Sequence, residues 1–367
     1  MAMVTNLLLD LKILPKSYIL ILPKNRRGNL MTETIYDVVI VGGGPSGLYS
    51  SFSCGIRGLK VKLLEARATL GGRIPLYQEN IIWDLGGAQG KLASDIANNL
   101  LDATQQFSPD IVYNQQVKTI KKEATGFTLT SQDGQNHRAK TVILASALGI
   151  IQPRKLKIPD AYENLHYPVS EVINFKAYTN QTVLLYGNPE SLSSYALLLQ
   201  QVAKAVILVT KKTDFPNAEK FLENVTALTQ VEISDFASEG DLISAVTLSD
   251  GQVIPVSQVL IHLGMKREAN TITFENFDLA TVEQHGHDFI QNDADTTTST
   301  EGLYVVGDLG SYPDKNYMLA ACMAEGSNAA GQVARYLDES AEANLIVSTH
   351  NEVFKTKNQA LVSQYFS

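Results

Sequence analysis

Short apolar runs recur along this chain, and most of them stop at glycine or at another turn-forming residue. The first run, residues 36–41, is rich in β-branched side chains and ends at three consecutive glycines. A run of this kind predicts a buried strand of a parallel sheet. A segment with helical character and a second apolar run, residues 60–64, follow it. The pattern therefore predicts a β–α–β unit near the start of the chain.

The same pattern is repeated further along. Apolar runs predict additional strands at residues 117–120, 127–131, 137–139, 140–147, 181–187, 205–210 and 303–306, with several more between 232 and 263. Helical spacing of the apolar positions predicts helices at residues 92–107, 194–202 and 317–336. Strands that alternate with helices indicate an α/β fold.

A duplicated unit indicates how the chain is divided. Because the strand at 181–187 begins a second β–α–β unit, we predict two dinucleotide-binding (Rossmann-like) domains, the second inserted into the first. Connecting segments are expected near residues 148–154 and 262–266. The predicted divisions are an extension (1–30), the first part of the outer domain (31–150), the insert (151–268), the second part of the outer domain (269–350) and a tail (351–367).

The glycines after the first strand have a specific spacing. Gly42, Gly44 and Gly47 fit G-x-G-x-x-G, with Pro45 and Ser46 between the last two. The first glycine permits a tight turn, the second a close approach to a diphosphate, and the third helix-to-strand packing. Glu65 follows Gly42 by 23 residues, near the offset expected for an acid that binds a ribose. The arrangement predicts a dinucleotide site; an ordinary glycine-rich turn is the alternative.

Two later stretches belong with this loop. Gly71, Gly72 and Arg73 follow the second strand, where paired glycines let the backbone approach a bulky ring. Tyr77 or Trp83 could stack on that ring, or either could be a core residue. Much later, Gly307 and Asp308 end a buried strand, where the carboxylate can accept a hydrogen bond from a ribityl or ribose hydroxyl.

The second glycine loop departs from the pattern. Gly187 is present, but Pro189 stands where the second glycine belongs and Leu192 where the third belongs. Proline removes an N–H donor, and Glu190 adds negative charge beside the expected diphosphate. We therefore expect the fold to be retained and the phosphate cradle to be lost. Lys211 and Lys212 follow the next strand, where they either meet a 2′-phosphate or form a solvated strand end.

Composition narrows the class of protein. The 367 residues are 44% hydrophobic and 19% charged, which permits a sizeable core. A net charge of −8 argues against nucleic acid as a partner. Cys54 and Cys322 form no C-x-x-C, so we expect no disulfide framework, no metal site and a cytoplasmic protein. Buried packing is the expectation for both thiols, with redox work as the alternative.

The first thirty residues differ from the rest of the chain. Charged residues and a proline interrupt their apolar runs, so no span reaches the ~20 residues of a membrane helix. Neither an early positive charge nor a small-residue cleavage site is evident, so no secretory signal is expected. Our hypothesis is that the natural start is Met31 and that residues 1–30 are a mis-called extension.

Taken together, these residues resemble a known family. The order of outer domain, insert and outer domain is that of the two-dinucleotide-fold flavoproteins, and within them the chain is similar to the thioredoxin-reductase-like ferredoxin/flavodoxin–NADP reductases of bacteria. The match runs over most of 36–350, with anchors at residues 38–49, 61–65, 70–73, 152–156 and 302–308. The family implies FAD in the outer domain, NADPH or NADH as a co-substrate, and a homodimer.

The resemblance also implies roles for single residues. By it, Glu65 holds the adenosine ribose, Tyr77 stacks on the isoalloxazine, and Val117 contacts the adenine. Ile151 takes the place of a usual phenylalanine, Arg73 stands where the family usually has glutamine, and Asp308 binds the ribityl chain. In the family's C-terminal motif Ser348 and Thr349 match, with Thr349 expected at the cofactor, but the histidine is displaced by three places to His350.

The function implied is that of an FAD-dependent NAD(P)H oxidoreductase of the ferredoxin–NADP reductase type. Hydride would pass from NAD(P)H to FAD, and electrons would then pass to a ferredoxin or flavodoxin-like acceptor without a redox disulfide. Gly187, Lys211 and Lys212 would serve the nicotinamide nucleotide. The alternative is an FAD-binding protein with a decayed nucleotide site, acting as a redox sensor or an interaction partner.

Overall fold

The computed structural model describes residues 34–78, 80–158, 162–168, 174–269, 271–342 and 351–366. The predicted extension at 1–30 and the expected cofactor residue Thr349, with His350, lie outside these ranges. Five helices are described: α1 Pro45–Ile56, α2 Ala93–Gln105, α3 Pro189–Leu199, α4 Leu319–Leu337 and α5 Lys355–Phe366. No helix within the described ranges has the length and apolar character needed to cross a membrane.

The strands are numbered here in chain order. They are β1 Ile35–Val41, β2 Val61–Leu64, β3 Ile81–Ile82, β4 Lys91–Leu92, β5 Asp110–Val112, β6 Val117–Glu123, β7 Gly126–Ser131, β8 Asn136–Leu144, β9 Gly149–Pro153, β10 Leu165–His166, β11 Thr182–Gly187, β12 Ala205–Val209, β13 Val225–Leu228, β14 Ile233–Glu239, β15 Leu242–Leu248, β16 Val253–Pro255, β17 Gln258–His262, β18 Met265–Ala269, β19 Thr273–Glu275, β20 Thr281–Gln284, β21 His287–Gln291, β22 Leu303–Val305 and β23 Gly310–Ser311.

The first large sheet joins strands that precede the insert with strands that follow it. Its order is β19-β6-β7-β8-β1-β2-β5, and β22 pairs with the second half of β8. Strands β5, β2, β1, β8 and β22 are parallel, whereas β6, β7 and β8 form an antiparallel meander. The side chains of β1 from Val38 to Val41 are almost completely buried, as expected for a central parallel strand.

Helices α1 and α4 pack closely against each other because small residues line their contact. A Cβ built at Gly326 of α4 would lie 2.9 Å from the backbone nitrogen of Ser50 in α1. Ser50 and Ser53 on α1 are completely buried at 0% exposure. Because the two helices can approach so closely, α4, which comes after β22 in the chain, packs directly against α1, the helix that begins at the first glycine loop.

The insert has a sheet and a core of its own. Five parallel strands have the order β10-β17-β11-β12-β13, and β14, β15 and β16 form a separate antiparallel sheet. Leu192 and Tyr195 of α3 are fully buried against the parallel sheet. The duplicated β–α–β unit predicted from the sequence is therefore present as β11, α3 and β12.

The two segments expected to be linkers are paired strands. β9 and β18 run antiparallel, with Pro153 opposite Met265 and Gly149 opposite Ala269. The predicted division points at 150/151 and 268/269 fall inside these strands. The chain leaves the outer domain through β9 and returns to it through β18. Because these two strands share backbone hydrogen bonds, they form one two-stranded ribbon.

Two helices and one strand differ in extent from the sequence expectation. α3 begins at Pro189 rather than at residue 194, and α4 begins at Leu319 rather than at residue 317. The two runs expected at 137–139 and 140–147 form one continuous strand, β8. The ring of His137, near the start of this strand, is buried at 4% exposure and hydrogen-bonded.

Candidate functional site

A cleft of about 320 Å³ opens at the carboxyl ends of β1, β2 and β8. Val41, Leu64 and Ala145, which end these strands or follow them, form part of its wall. The carboxyl edge of a parallel sheet is where open α/β folds bind ligands.

Gly42 and Gly47 of the first loop, and Gly72 beside it, each have a steric reason to be glycine. Gly42 has a φ of +106°, and a Cβ built there would lie 2.5 Å from the Ala145 carbonyl oxygen. A Cβ at Gly47 would lie 1.9 Å from the Gly42 carbonyl oxygen. Gly44 and Gly72 face each other, since a Cβ at Gly72 would lie 2.9 Å from the Gly44 Cα. The loop therefore presents bare backbone to the cleft.

The N-terminus of α1 is left uncapped by this loop. Its N-cap residue, Gly44, has no side chain to accept a backbone hydrogen bond, and Pro45 occupies the first helical position. The N–H groups of Ser46 and Gly47 occupy the next two positions, where a helix supplies no partner of its own. Such an end favours a bound phosphate. Gly47 acts in the packing of the loop, whereas Gly42, Gly44, Pro45 and Ser46 line the cleft.

Glu65 is fixed beside this loop. Its side chain is buried, with Oε2 accepting a hydrogen bond from the Gly43 backbone N–H at 2.7 Å. Oε1 accepts a hydrogen bond from the Arg67 backbone N–H at 2.9 Å. The carboxylate still lines the cleft, which is the position expected for the acid at the adenosine ribose.

The end of the cleft near Val117 contains a network that the sequence did not reveal. Val117 is buried and lines the cleft together with Gln115. The Gln115 side-chain amide donates to Asp133 at 2.8 Å, and its oxygen lies 3.3 Å from Nε2 of His137. Burial lowers the pKa of His137 to about 4, so the ring is neutral at pH 7. These contacts hold Gln115 in one orientation.

Elsewhere on the cleft wall, Arg73, Tyr77 and Asp308 come together. The Arg73 guanidinium forms an ion pair with the Asp308 carboxylate, and all three residues line the cleft. Burial raises the pKa of Tyr77, so its phenol keeps its proton at neutral pH. The sequence places these residues on separate segments, and the structure brings them together on the cleft wall.

A buried charge pair supports the turn that carries Asp308. The Gly307 backbone N–H donates to Oε2 of Glu325 at 2.6 Å, and the Tyr312 hydroxyl donates to Oε1 at 2.8 Å. The Lys315 ammonium also pairs with Glu325, and both side chains are at most 4% exposed. Burial and the bond to Glu325 raise the pKa of Tyr312 to about 12. Only the presence of a glutamate among the small residues of α4 could have indicated this cluster.

Two other expected residues, Ile151 and Trp83, have different placements. Ile150, not Ile151, lines the cleft, and the Ile151 carbonyl accepts a hydrogen bond from the Arg67 guanidinium at 2.7 Å. Alternate residues of a strand point to opposite faces, so a difference of one residue moves the side chain away from the cleft. Trp83 is 71% exposed and is not a core residue.

The residues present fit an FAD cofactor. The uncapped α1 end suits a diphosphate, Glu65 suits a ribose, the pocket at Val117 suits an adenine, and Asp308 suits a ribityl hydroxyl. The space between Gly44 and Gly72 admits close backbone approach, which any Cβ at Gly72 would obstruct.

The two cysteines of the chain are both free thiols. Cys54 is completely buried in α1, and burial raises its pKa to about 12. Cys322 lines the cleft on α4, and burial raises its pKa also. Neither thiol is a ready nucleophile at neutral pH. Within the described ranges no group of side chains has a metal-binding arrangement.

The second glycine loop has a different register from the one read in the sequence. Gly187 has a φ of +143°, and a Cβ there would lie 1.9 Å from the His262 carbonyl oxygen, so Gly187 corresponds to Gly42. Asn188 is the N-cap of α3 and Pro189 its first residue, as Gly44 and Pro45 are for α1. The second loop is thus one residue shorter than the first.

This shift corrects two sequence assignments. The Leu192 N–H donates to the Asn188 carbonyl at 3.0 Å, as the Leu48 N–H donates to the Gly44 carbonyl at 2.9 Å. Leu192 therefore corresponds to the buried Leu48, and Ser191, a small residue, takes the third position. Pro189 removes an N–H at the first helical position, where Pro45 also has none.

Two features nevertheless distinguish the second loop from the first. The Asn188 side chain accepts a hydrogen bond from the Glu190 N–H at 3.3 Å, so α3 is capped by its own sequence. Lys211 forms an ion pair with Glu232, and this hydrogen bond raises the pKa of Lys211. Gly187, Lys211 and Lys212 all line a cleft of about 640 Å³ beside the loop.

The chain is similar to known proteins over most of its length. A family model described as pyridine nucleotide-disulphide oxidoreductase matches residues 36–326. Ferredoxin–NADP reductase 1 of Bacillus pumilus is 34% identical over 348 residues, covering 90% of this chain and 98% of the relative. Ferredoxin–NADP reductase 2 of Exiguobacterium sibiricum is 33% identical over 349 residues, covering 90% and 97% respectively.

Among solved structures, the thioredoxin reductase of T. acidophilum matches with a TM-score of 0.53 and 20% identity, covering 84% of this chain and all of the other. This likeness shows the fold. The expected α/β architecture with two dinucleotide-binding folds is confirmed. The expected oxidoreductase class and the use of FAD with a pyridine nucleotide are confirmed as well. The chain therefore belongs to the pyridine nucleotide-disulphide oxidoreductase family.

Proposed function

We propose that this protein is an FAD-dependent NAD(P)H oxidoreductase that passes electrons to a ferredoxin or flavodoxin-like acceptor. The observation that carries the proposal is the uncapped N-terminus of α1, which shares its cleft with Glu65 and Asp308. That arrangement suits FAD, and the named relatives from Bacillus and Exiguobacterium are ferredoxin–NADP reductases.

The flavin supplies hydride acceptance from a nicotinamide and onward transfer of single electrons. The chain's own residues bind the cofactor and orient it. Gly44 and Gly72 bring backbone close to the cofactor, and the α1 N–H groups hold its diphosphate. Glu325 keeps the Gly307–Asp308 turn in place through the Gly307 N–H. Tyr77 packs at the flavin end and remains a neutral phenol.

The positions of the two cysteines support electron transfer from the flavin directly to the acceptor, without an internal disulfide. Thioredoxin reductases use a C-x-x-C pair, and the two cysteines here lie far apart in sequence and are both free. We therefore propose transfer from the flavin to a separate protein acceptor.

The test begins with the purified protein and its absorbance spectrum. A yellow flavin spectrum, bleached rapidly and anaerobically by NADPH or NADH near stoichiometric amounts, would support the proposal. Subsequent reduction of added ferredoxin or flavodoxin would establish the acceptor class. Protein that is colourless and cannot be reconstituted with FAD would overturn the proposal.

A second candidate is an FAD-binding protein whose nucleotide site has decayed, acting as a redox sensor or an interaction partner. The Asn188 cap on α3 and the pairing of Lys211 with Glu232 favour it. Flavin that is bleached by dithionite but not by millimolar NADPH or NADH would favour this candidate.

We also propose a homodimer, a cytoplasmic location, and outer and insert domains divided near residues 150 and 268. The dimer is proposed from the family resemblance, and the location from the two free cysteines. Sedimentation analysis of the flavin-loaded protein would test the dimer.

A further inference from the structure

The segments that carry Arg73 and Asp308 both approach the first turn of α1. Arg73 follows Gly72, where a Cβ would lie 2.9 Å from the Gly44 Cα. Asp308 follows Gly307, where a Cβ would lie 2.3 Å from the Ser46 hydroxyl oxygen. The two residues that form this ion pair therefore each follow a glycine that lies against the helix end at which a diphosphate would bind.

The Arg73–Asp308 ion pair lies in a cleft that has more negative than positive side chains. Two guanidinium groups and four carboxylates line the described wall of the cleft, which is therefore acidic. The charged side chains are Glu65, Arg67, Arg73, Asp84, Glu268 and Asp308. These carboxylates repel the negative charges of a diphosphate, so a cation beside the diphosphate would favour its binding.

Arg67 is already committed to structural hydrogen bonds. Its guanidinium donates to the Gly72 carbonyl at 2.7 Å and to the Ile151 carbonyl at 2.7 Å. These hydrogen bonds connect Gly72 to Ile151 of strand β9. Arg73 has a side chain that is 50% exposed, and Asp308 is its ion-pair partner.

We propose that Arg73 determines specificity for a diphosphate-bearing flavin by exchanging Asp308 for the cofactor's diphosphate. This inference rests on the proposed function and deepens it. In the exchange the Arg73 guanidinium meets the phosphate oxygens, and the freed Asp308 carboxylate accepts a hydrogen bond from a ribityl hydroxyl. One residue thus couples recognition of the diphosphate to release of the acid that binds the flavin side chain.

The balance of interactions favours the exchange. A partly exposed ion pair stabilises a protein little, because water screens it and both side chains lose freedom. A guanidinium bound to phosphate forms paired charge-assisted hydrogen bonds, which are stronger. The α1 N–H groups add to the attraction for phosphate but not for Asp308, whose carboxylate already has Arg73 as its partner.

The experiment compares ligands with and without a diphosphate. Dissociation constants of FAD, ADP and riboflavin are measured by calorimetry on the full-length apoprotein, as wild type and as Arg73→Gln. We expect Arg73→Gln to weaken the binding of FAD and of ADP by roughly tenfold. Riboflavin should bind this variant at least as tightly as it binds the wild type, because Asp308 is then free of its ion-pair partner. The salt dependence of FAD binding should also become shallower in this variant.

Two further variants complete the design. Arg335→Gln, at an exposed position on α4, is the matched control and should bind all three ligands as the wild type does. Asp308→Asn should bind ADP at least as tightly as the wild type, because Arg73 loses its competing partner, but should bind FAD more weakly.

The outcomes separate the two proposals. Wild-type protein that binds no FAD would overturn the proposed function. If the wild type binds FAD, two results would overturn this inference alone. In the first, Arg73→Gln binds FAD and ADP as tightly as the wild type does. In the second, Arg73→Gln weakens the binding of riboflavin as much as the binding of FAD.

Discussion

Gly47 tolerates no side chain because its Cα faces the carbonyl of another loop residue. We expect Gly47→Ala to lower the free energy of unfolding by about 1–3 kcal/mol, since a Cβ would lie 1.9 Å from the Gly42 carbonyl oxygen. The displaced loop should also bind FAD poorly. Denaturant unfolding and FAD titration measure the two effects. Gly58→Ala, with φ at +73° and no atom within 4 Å of the new Cβ, is the control and should bind FAD normally.

His137 should make the protein less stable in mild acid. Its pKa is about 4 in the folded protein because of burial, against about 6.5 when unfolded. Between these values only the unfolded chain takes up the proton, so stability is complete above pH 6.5 and falls as the pH is lowered towards 4. By pH 5 the loss should be roughly 2 kcal/mol.

His137→Gln tests this dependence. Its unfolding free energy should fall less than that of the wild type between pH 7.5 and pH 5, measured by denaturant titration at both values. His287→Gln, at an exposed position on β21, should retain the wild-type slope. Equal slopes in all three proteins would contradict the assignment to His137.

Single residues could be predicted where a local spacing determines them. Gly42, Gly44, Gly47 and Glu65 lie within one β–α–β unit, and the structure places their backbone or side chains where that spacing indicates. Contacts between distant segments could not be read in this way. Gln115 with His137 is one example.

At the scale of elements, the second glycine loop is one residue shorter than the first, and this difference made the sequence alignment of the two loops wrong by one position. Counting from Gly187 puts Pro189 and Leu192 at the second and third glycine positions, yet the helix starts one residue earlier than the count assumes. Substituting Leu192 would consequently damage the core, where it is 0% exposed, and would not open a phosphate site.

The Asn188 cap and the Glu190 charge should weaken nucleotide binding at α3. We expect Asn188→Gly with Glu190→Gln to bind NADPH or NADH about three- to tenfold more tightly, because a helix N–H is released and a like charge is removed. Titration of flavin reduction by each nucleotide measures the change. Glu239→Gln, exposed on β14, is the control; an unchanged affinity in the double variant would show that the cap was no obstacle.

At the scale of the whole molecule, the two large sheets have separate cores. Val39, Ile120 and Val142 belong to the first, and Leu184, Val246 and Val259 to the second. We expect calorimetry to resolve two unfolding transitions, with FAD raising the midpoint of only one. A single transition that shifts as a unit would show that the two sheets unfold together.

The α/β class and the insertion could be predicted because strand-to-glycine patterns recur in order along the chain. The pairing of β9 with β18 could not, since it joins residues that lie more than a hundred positions apart. Pro153 and Gly149 also disguise β9 as a linker, although a proline at a strand end is compatible with pairing.

That ribbon has a consequence for protein engineering. Because Pro153 lies directly opposite Met265 in antiparallel register, the outer half of the molecule already contains the two arms of a hairpin. Replacing residues 154–264 with a tight Asn-Gly turn would close these arms without moving either of them. The resulting miniature flavoprotein would keep the cleft at β1, β2 and β8, and its flavin fluorescence would report whether the outer half folds unaided.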